Sequence, residues 1–118
     1  MIYTGYFARM KYYKGPCYSI ARYTPKGVNC GNCTYFYPTK ELLDDWKQGK
    51  ITQEQYIERY KSETLDKIDI NHLKWALSKN DEDIYLLCYE KPMDFCHRHI
   101  VAKWLREELN IPCVESKD

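Results

Sequence analysis

No stretch of this chain stays apolar for the roughly 18–20 residues that a membrane-crossing helix needs. The opening residues MIYTGYFARMKYY lack the continuous apolar segment and small-residue cleavage site of a secretory signal. Both absences make a cytoplasmic location the expectation. Acidic side chains are missing altogether from residues 1–40. Internal repeats and low-complexity tracts are missing too. So are the phosphate loop G-x-x-x-x-G-K-[ST] and the dinucleotide fingerprint G-x-G-x-x-G. A cysteine phosphatase loop needs Cys-x5-Arg, yet Asp94 and Ala102 stand where the arginine would follow Cys88 and Cys96. Zinc nucleobase deaminases need H-x-E with P-C-x-x-C. Here Cys30 and Cys33 give C-x-x-C without the proline, and no H-x-E occurs.

What is present is 118 residues, 44% hydrophobic and 30% charged, which reads as one globular α/β domain spanning 1–118. Six cysteines in an intracellular chain point to free thiols, a metal site or reactive groups rather than a disulfide framework. The net charge of +1 hides an asymmetry. Arg9, Lys11, Lys14, Arg22, Lys26 and Lys40 make the first 40 residues basic, and all 17 acids lie beyond them. The basic part is also aromatic, with Tyr3, Tyr6, Phe7, Tyr12, Tyr13, Tyr18, Tyr23, Tyr35, Phe36 and Tyr37. Basic charge attracts phosphate and aromatic faces stack on bases. The plainer alternative is that these rings fill a sheet and the lysines are solvated.

Along the chain, Met1–Phe7 and Cys17–Tyr23 read as strands, the second bounded by Gly15-Pro16, Pro25 and Gly27. Thr24–Pro38 reads as a long loop. A helical insert fills 39–79. Thr39 caps a helix with Leu42, Leu43 and Trp46 on one face, ending near Gly49. Thr52 and Gln55 form a capping box, with Ile51 and Tyr56 as a hydrophobic staple and Ile57 and Tyr60 continuing the buried stripe. A third helix from about Asp69 to Lys79 carries Leu73, Ala76 and Leu77.

Residues 84–115 read as a β-α-β unit. Ile84–Tyr89 is apolar enough to be buried on both faces. Asp94 caps a helix to about Leu109 with Ile100, Val101, Trp104 and Leu105 turned inward, Asn110 takes the left-handed position after it, and Cys113-Val114 begins a last strand. A parallel connection is the expected topology. The fold class is therefore α/β, a small mostly parallel sheet flanked by helices, Rossmann-like, with the helical insert.

The chemistry gathers at the turn 88–98, where ligands sit in such folds. Cys96 and His97 fall in the first helical turn, whose amides lack intrahelical partners and whose dipole favours anions and a thiolate. Arg98 adds a planar cationic fork for phosphate or carboxylate. Glu90 is placed to move a proton, to bind a ribose hydroxyl, or to pair with Arg98. Cys30 and Cys33 have three readings: half a zinc site completed by Cys17, Cys96 or His97, a redox pair, or a Gly-Asn turn with incidental thiols.

With those residues placed, LLCYEKPMDFCHRHIVAKWL resembles the signature of the DUF488 family, a strand followed by a C-x-E turn and a Cys-His-Arg helix start. IYTGYF and CYSIAR resemble the family's opening strand and its I-S-I-x-R strand, in a short bacterial and phage version whose helical insert fits Pro38, Lys47 and Tyr60. The resemblance implies an α/β fold and a site built from Cys88, Glu90, Cys96, His97 and Arg98. Thr4, Ser19 and Arg22 match the family's other polar positions near the ends of the first two strands. The Cys30–Cys33 pair lies outside that pattern. The family is uncharacterised, so the resemblance implies no activity.

The expectation is a protein that binds a phosphate-bearing ligand, a nucleotide or a nucleic-acid end, at 88–98. Arg98 and Arg22 would hold the anion, and tyrosines of the first 40 residues would stack on the base. If there is catalysis, Glu90 is the acid or base and Cys96 the nucleophile. No cofactor is called for, zinc at Cys30 and Cys33 being the one metal alternative. No membrane partner is expected. The competing expectation is a non-catalytic protein that binds a host protein or sequesters a signalling nucleotide, using exposed tyrosines as contacts.

Overall fold

The computed structural model describes residues 1–79, 82–89 and 95–117. Five strands, β1 (Ile2–Tyr6), β2 (Cys17–Ser19), β3 (Gly31–Asn32), β4 (Ile84–Cys88) and β5 (Cys113–Glu115), form one sheet in the order β3-β2-β4-β1-β5. Every pairing is parallel. Four helices flank it: α1 (Lys40–Lys47), α2 (Gln53–Glu63), α3 (Ile70–Ser78) and α4 (His97–Glu108). This is an α/β fold with a small parallel sheet and a run of three helices between β3 and β4. None of the described helices is long and apolar enough to cross a membrane.

Local chemistry sets the helix starts. The Thr39 and Asp69 side chains each accept a backbone N–H, from Leu42 at 3.2 Å and from His72 at 3.2 Å. Thr52 and Gln55 complete both halves of the capping box, at 3.1 and 2.9 Å. Asn110 adopts φ +55°, the left-handed conformation that ends α4.

β4 is buried at all five positions because it lies between β2 and β1 with layers on both faces. On one face Ile2, Ile84, Leu86 and Cys113 meet Tyr60 of α2 and Val101 and Leu105 of α4. On the other, the Tyr85 ring stacks between Tyr3, at 5.2 Å, and Tyr13, at 4.7 Å. Most of the aromatics in the basic segment are thus committed to packing rather than displayed.

Several boundaries differ from the expectation. The strand read over Cys17–Tyr23 stops at Ser19, because the Ser19 hydroxyl and the Ala21 backbone hydrogen-bond each other and turn the chain. The long loop Thr24–Pro38 contains β3 and a 3₁₀ turn, Thr34–Phe36. Gly31 makes β3 possible: a Cβ there would lie 2.6 Å from the Tyr18 ring. Ile57, read as part of the buried stripe, is exposed, while Tyr60 is fully buried. β5 does not pair with β4. It pairs with β1, which sits between them. The last helix begins at His97 with Cys96 as its N-cap residue, and the Asp94 cap lies outside the described residues.

Candidate active site

The parallel register brings the ends of β2 and β4 together. Ser19 is opposite Leu87, and the Ile20 N–H donates to the Leu87 carbonyl at 3.0 Å, which leaves the Ile20 carbonyl beside Cys88. Ile84, Leu86 and Cys88 share the face that α4 covers, since strand side chains alternate. Cys88 is therefore held under the start of α4, where His97 comes down to meet it.

His97 joins the two strands. Its Nε2 lies 2.7 Å from the Ile20 carbonyl oxygen, an atom that can only accept, so Nε2 carries the proton. The other nitrogen, Nδ1, then presents its lone pair to Cys88 Sγ at 3.5 Å. Tyr60 packs edge-on against the imidazole at 5.5 Å, and its hydroxyl donates to the Phe36 carbonyl at 2.7 Å. A thiol, an imidazole and a carbonyl that orients the imidazole thus stand in a row, an arrangement that can support nucleophilic chemistry.

Cys96 plays a different part from the one expected. It precedes the first helical turn, and it is buried. Burial, then a hydrogen bond with Cys88, push its thiol far up. Desolvation outweighs the partial charge of the helix end, so Cys96 stays protonated beside Cys88. Cys96 also hydrogen-bonds His97, but too weakly to offset its burial; Cys88 is the other thiol at the imidazole, its Sγ 3.5 Å from Nδ1.

These groups open into a cavity of about 400 Å³. One wall is an aromatic cluster, with Trp46 and Phe95 at 4.9 Å, Trp46 and Tyr56 at 5.5 Å, and Tyr56 and Phe95 at 5.3 Å between ring centroids. Arg22 and Lys47 also line it, and no acidic side chain does among the described residues. The Arg22 Nε donates to the Pro38 carbonyl at 2.8 Å, which fixes the guanidinium at the rim. Across the mouth the Tyr89 hydroxyl donates to the Tyr23 carbonyl. Of the aromatics in the first 40 residues, Tyr23 alone lines this cavity.

Arg98 does not line the cavity. It is completely buried, and its partner is Glu115: Nε lies 3.2 and 3.3 Å from the two carboxylate oxygens, and Nη2 lies 3.0 Å from Oε2. Thr4 Oγ1 donates to the same carboxylate at 2.6 Å, and the guanidinium stacks 5.7 Å from the Tyr6 ring centroid. Burial is the largest influence on Arg98 and by itself would lower its pKa, but the Glu115 hydrogen bonds together with the attraction of Glu115 and the two nearby thiols more than offset it and hold the group charged. Arg98 and Thr4 thus clamp β5 to β1 and α4. Among the described residues the carboxylate partner of Arg98 is Glu115; Glu90, the partner offered from the sequence, lies outside them.

Ser19, likewise absent from the cavity wall, is fully buried in a turn network and accepts from Thr24 Oγ1 at 3.0 Å. Cys30 and Cys33 sit about β3, away from α4. Burial pushes the Cys30 thiol up and the Cys33 thiol up to about 11, the reverse of an activated redox pair. The group of three described residues close enough to share an ion is Cys88, Cys96 and His97, so two of the three residues offered to complete a Cys30–Cys33 zinc site, Cys96 and His97, are gathered elsewhere.

Sequence reading missed the cavity lining of Lys47, Tyr56 and Phe95, and the acid Glu115. Tyr56 was assigned to the core as a staple. Glu115 carries a weak signal, an acid on the short last strand in register with Thr4.

The profile of the DUF488-N3a family, described as an active DUF488-N3 subclade, matches residues 13–109. No curated protein and no solved structure matches the chain.

Proposed function

The chain belongs to the DUF488 family, in the DUF488-N3a subclade, and from its site we propose a cytoplasmic thiol enzyme that acts on a small phosphate-bearing ligand. The observation that carries this reading is the Cys88–His97 pair, with Nδ1 at 3.5 Å from Sγ and Nε2 tied to the Ile20 carbonyl. Trp46, Tyr56 and Phe95 offer ring faces to a base-like group, and Arg22 and Lys47 supply the positive charge for its phosphate. The cavity lies beyond the carboxyl ends of parallel strands, the place Rossmann-like sheets use for nucleotides.

In this reading Cys88 gives its proton to His97 Nδ1, and Sγ attacks the electrophilic centre of the ligand. The bond to the leaving group breaks, and that group takes the proton back from Nδ1. Water deprotonated by the same nitrogen then releases the adduct from Cys88. Arg98 has no part in holding the anion. A concave, cationic, ring-lined cavity supports this reading over a protein-docking one, which would use an exposed tyrosine patch.

The test is alkylation of the reduced protein by iodoacetamide, followed residue by residue with mass spectrometry, with and without nucleoside monophosphates. Cys88 should react before the more exposed Cys30. His97→Asn should slow it by about tenfold or more. A bound nucleotide should protect Cys88, and protection should weaken in Arg22→Ala. Preferential reaction at Cys30, with Cys88 inert, would overturn the nucleophile. Unprotected Cys88 across the whole panel would overturn the ligand class.

A further inference from the structure

The three side chains of the thiol site have a second capacity. Cys88 Sγ, Cys96 Sγ and a His97 ring nitrogen all lie within 4.8 Å of one another, and all three residues are buried. A tetrahedral zinc ion with Zn–S of about 2.3 Å and Zn–N of about 2.0–2.1 Å has a sulfur-to-nitrogen edge of about 3.5 Å. The Cys88 Sγ to His97 Nδ1 distance is 3.5 Å. One edge of the coordination polyhedron is therefore already built, and Cys96 Sγ lies within 4.8 Å of both its ends.

Three further observations agree. The His97 Nε2–H donates to the Ile20 carbonyl at 2.7 Å, the outer hydrogen bond by which metal-binding histidines fix the nitrogen that faces the ion. All three residues line the 400 Å³ cavity, so a fourth position opens to solvent or ligand. The donors are two sulfurs and one imidazole with no oxygen, a set that selects zinc-type ions over magnesium or calcium. Two thiolates also neutralise a divalent charge, which makes burying the ion electrically balanced.

We infer that Cys88, Cys96 and His97 form a chelating site for zinc-type divalent ions, and that such an ion regulates the enzyme by capturing its nucleophile. This rests on the thiol reading for its regulatory half. Binding releases the two thiol protons to solvent and forms two S–metal bonds and one N–metal bond. It occupies both the Cys88 lone pair that would attack and the Nδ1 lone pair that would accept the proton. Removing the ion restores both. Metal binding and catalysis are therefore mutually exclusive, because both need Cys88 Sγ and His97 Nδ1.

The test uses reduced, chelator-stripped full-length protein with Zn²⁺, Mg²⁺ and Co²⁺ as probes. Stoichiometric Zn²⁺ should lower the rate of Cys88 alkylation by about tenfold or more, an excess of EDTA should restore it, and Mg²⁺ should leave it unchanged. Co²⁺ should add the strong absorption of thiolate-to-metal charge transfer. Cys96→Ala keeps the Cys88–His97 pair, so alkylation should continue while zinc protection is lost. Cys96→Ser serves in its place if the alanine variant does not fold, as judged by circular dichroism. Zinc without effect on Cys88 alkylation would sink the inference and leave the thiol reading standing. A Co²⁺ absorption that persists in the Cys96 variants but vanishes in Cys30→Ser would also sink it, by moving the ion to the other cysteines. A Cys88 inert in the stripped protein, with a Co²⁺ spectrum that needs Cys88, Cys96 and His97, would remove the thiol reading and with it the regulatory half, and keep the metal site.

Discussion

Arg98→Ala and Glu115→Ala cut one ion pair from opposite ends, and the structure says they will not cost the same. The guanidinium has 0% exposure, whereas the Glu115 side chain retains 25%. Removing one partner of a buried pair costs about 3–5 kcal/mol, mostly through the charge left behind. After Arg98→Ala the stranded group is a carboxylate that water reaches and that still accepts from Thr4 Oγ1. The expected loss is at the lower end, about 3 kcal/mol, or roughly 12 °C in Tm at about 4 °C per kcal/mol. After Glu115→Ala the stranded group is a guanidinium with no route to solvent. The expected loss is about 5 kcal/mol, comparable with the whole stability of many small domains. The double replacement Arg98→Met with Glu115→Leu removes both charges and should recover most of the deficit. Thermal melts of the four proteins by circular dichroism, read as a double-mutant cycle, give the coupling directly. If Arg98→Ala melts like the wild type but fails to protect Cys88 with nucleotide, the clamp assignment is wrong. Arg98 would then be the anion anchor after all.

Two further outcomes follow from packing and from charge. Gly15→Ala should destabilise the protein by about 1–3 kcal/mol in urea melts, since its Cβ would sit 2.0 Å from the Asp83 backbone oxygen, which anchors the start of β4; a wild-type midpoint would refute the close approach. Glu63 is held below the usual carboxylate range, first by the Arg59 Nε–H at 2.6 Å, with Thr39 Oγ1 adding a second hydrogen bond. Its contribution is therefore present above the unfolded carboxylate pKa, about 4.3, and is lost as pH falls through the lower folded value. The Tm gap between wild type and Glu63→Gln should be open at neutral pH, worth up to about 1 kcal/mol, and close in acid; a gap independent of pH would refute the assignment.

The parts of the fold written in local chemistry were legible. Capping residues at Thr39 and Thr52, the left-handed Asn110 and the uniformly apolar β4 each declare themselves within a few residues. What could not be read is what depends on partners far along the chain. β3 is two residues long and exists because Gly31 lets the backbone approach the Tyr18 ring. The order of strands decides that Arg98 meets Glu115, and nothing near Arg98 announces it. The site shows the same division. Sequence spacing put Cys88, Cys96 and His97 at one turn, but the choice of thiol turns on the burial that raises Cys96 despite its own hydrogen bond with His97, and on the Ile20 carbonyl from another strand that turns Nδ1 toward Cys88. Helix-end electrostatics argued for Cys96, and desolvation argued the other way and is larger.

β1 lies between β4 and β5, so the first strand synthesised finds both its neighbours among the last. Thr4 and Glu115 are 111 positions apart, and the β1–β5 pairing cannot form until that span has been synthesised. Nascent chains paused before residue 84 hold a lone tyrosine-rich strand and a bundle of helices with nothing to lie against. A parallel sheet whose pairings join such distant segments is slow to form, because the loop between them must close before the strands can meet.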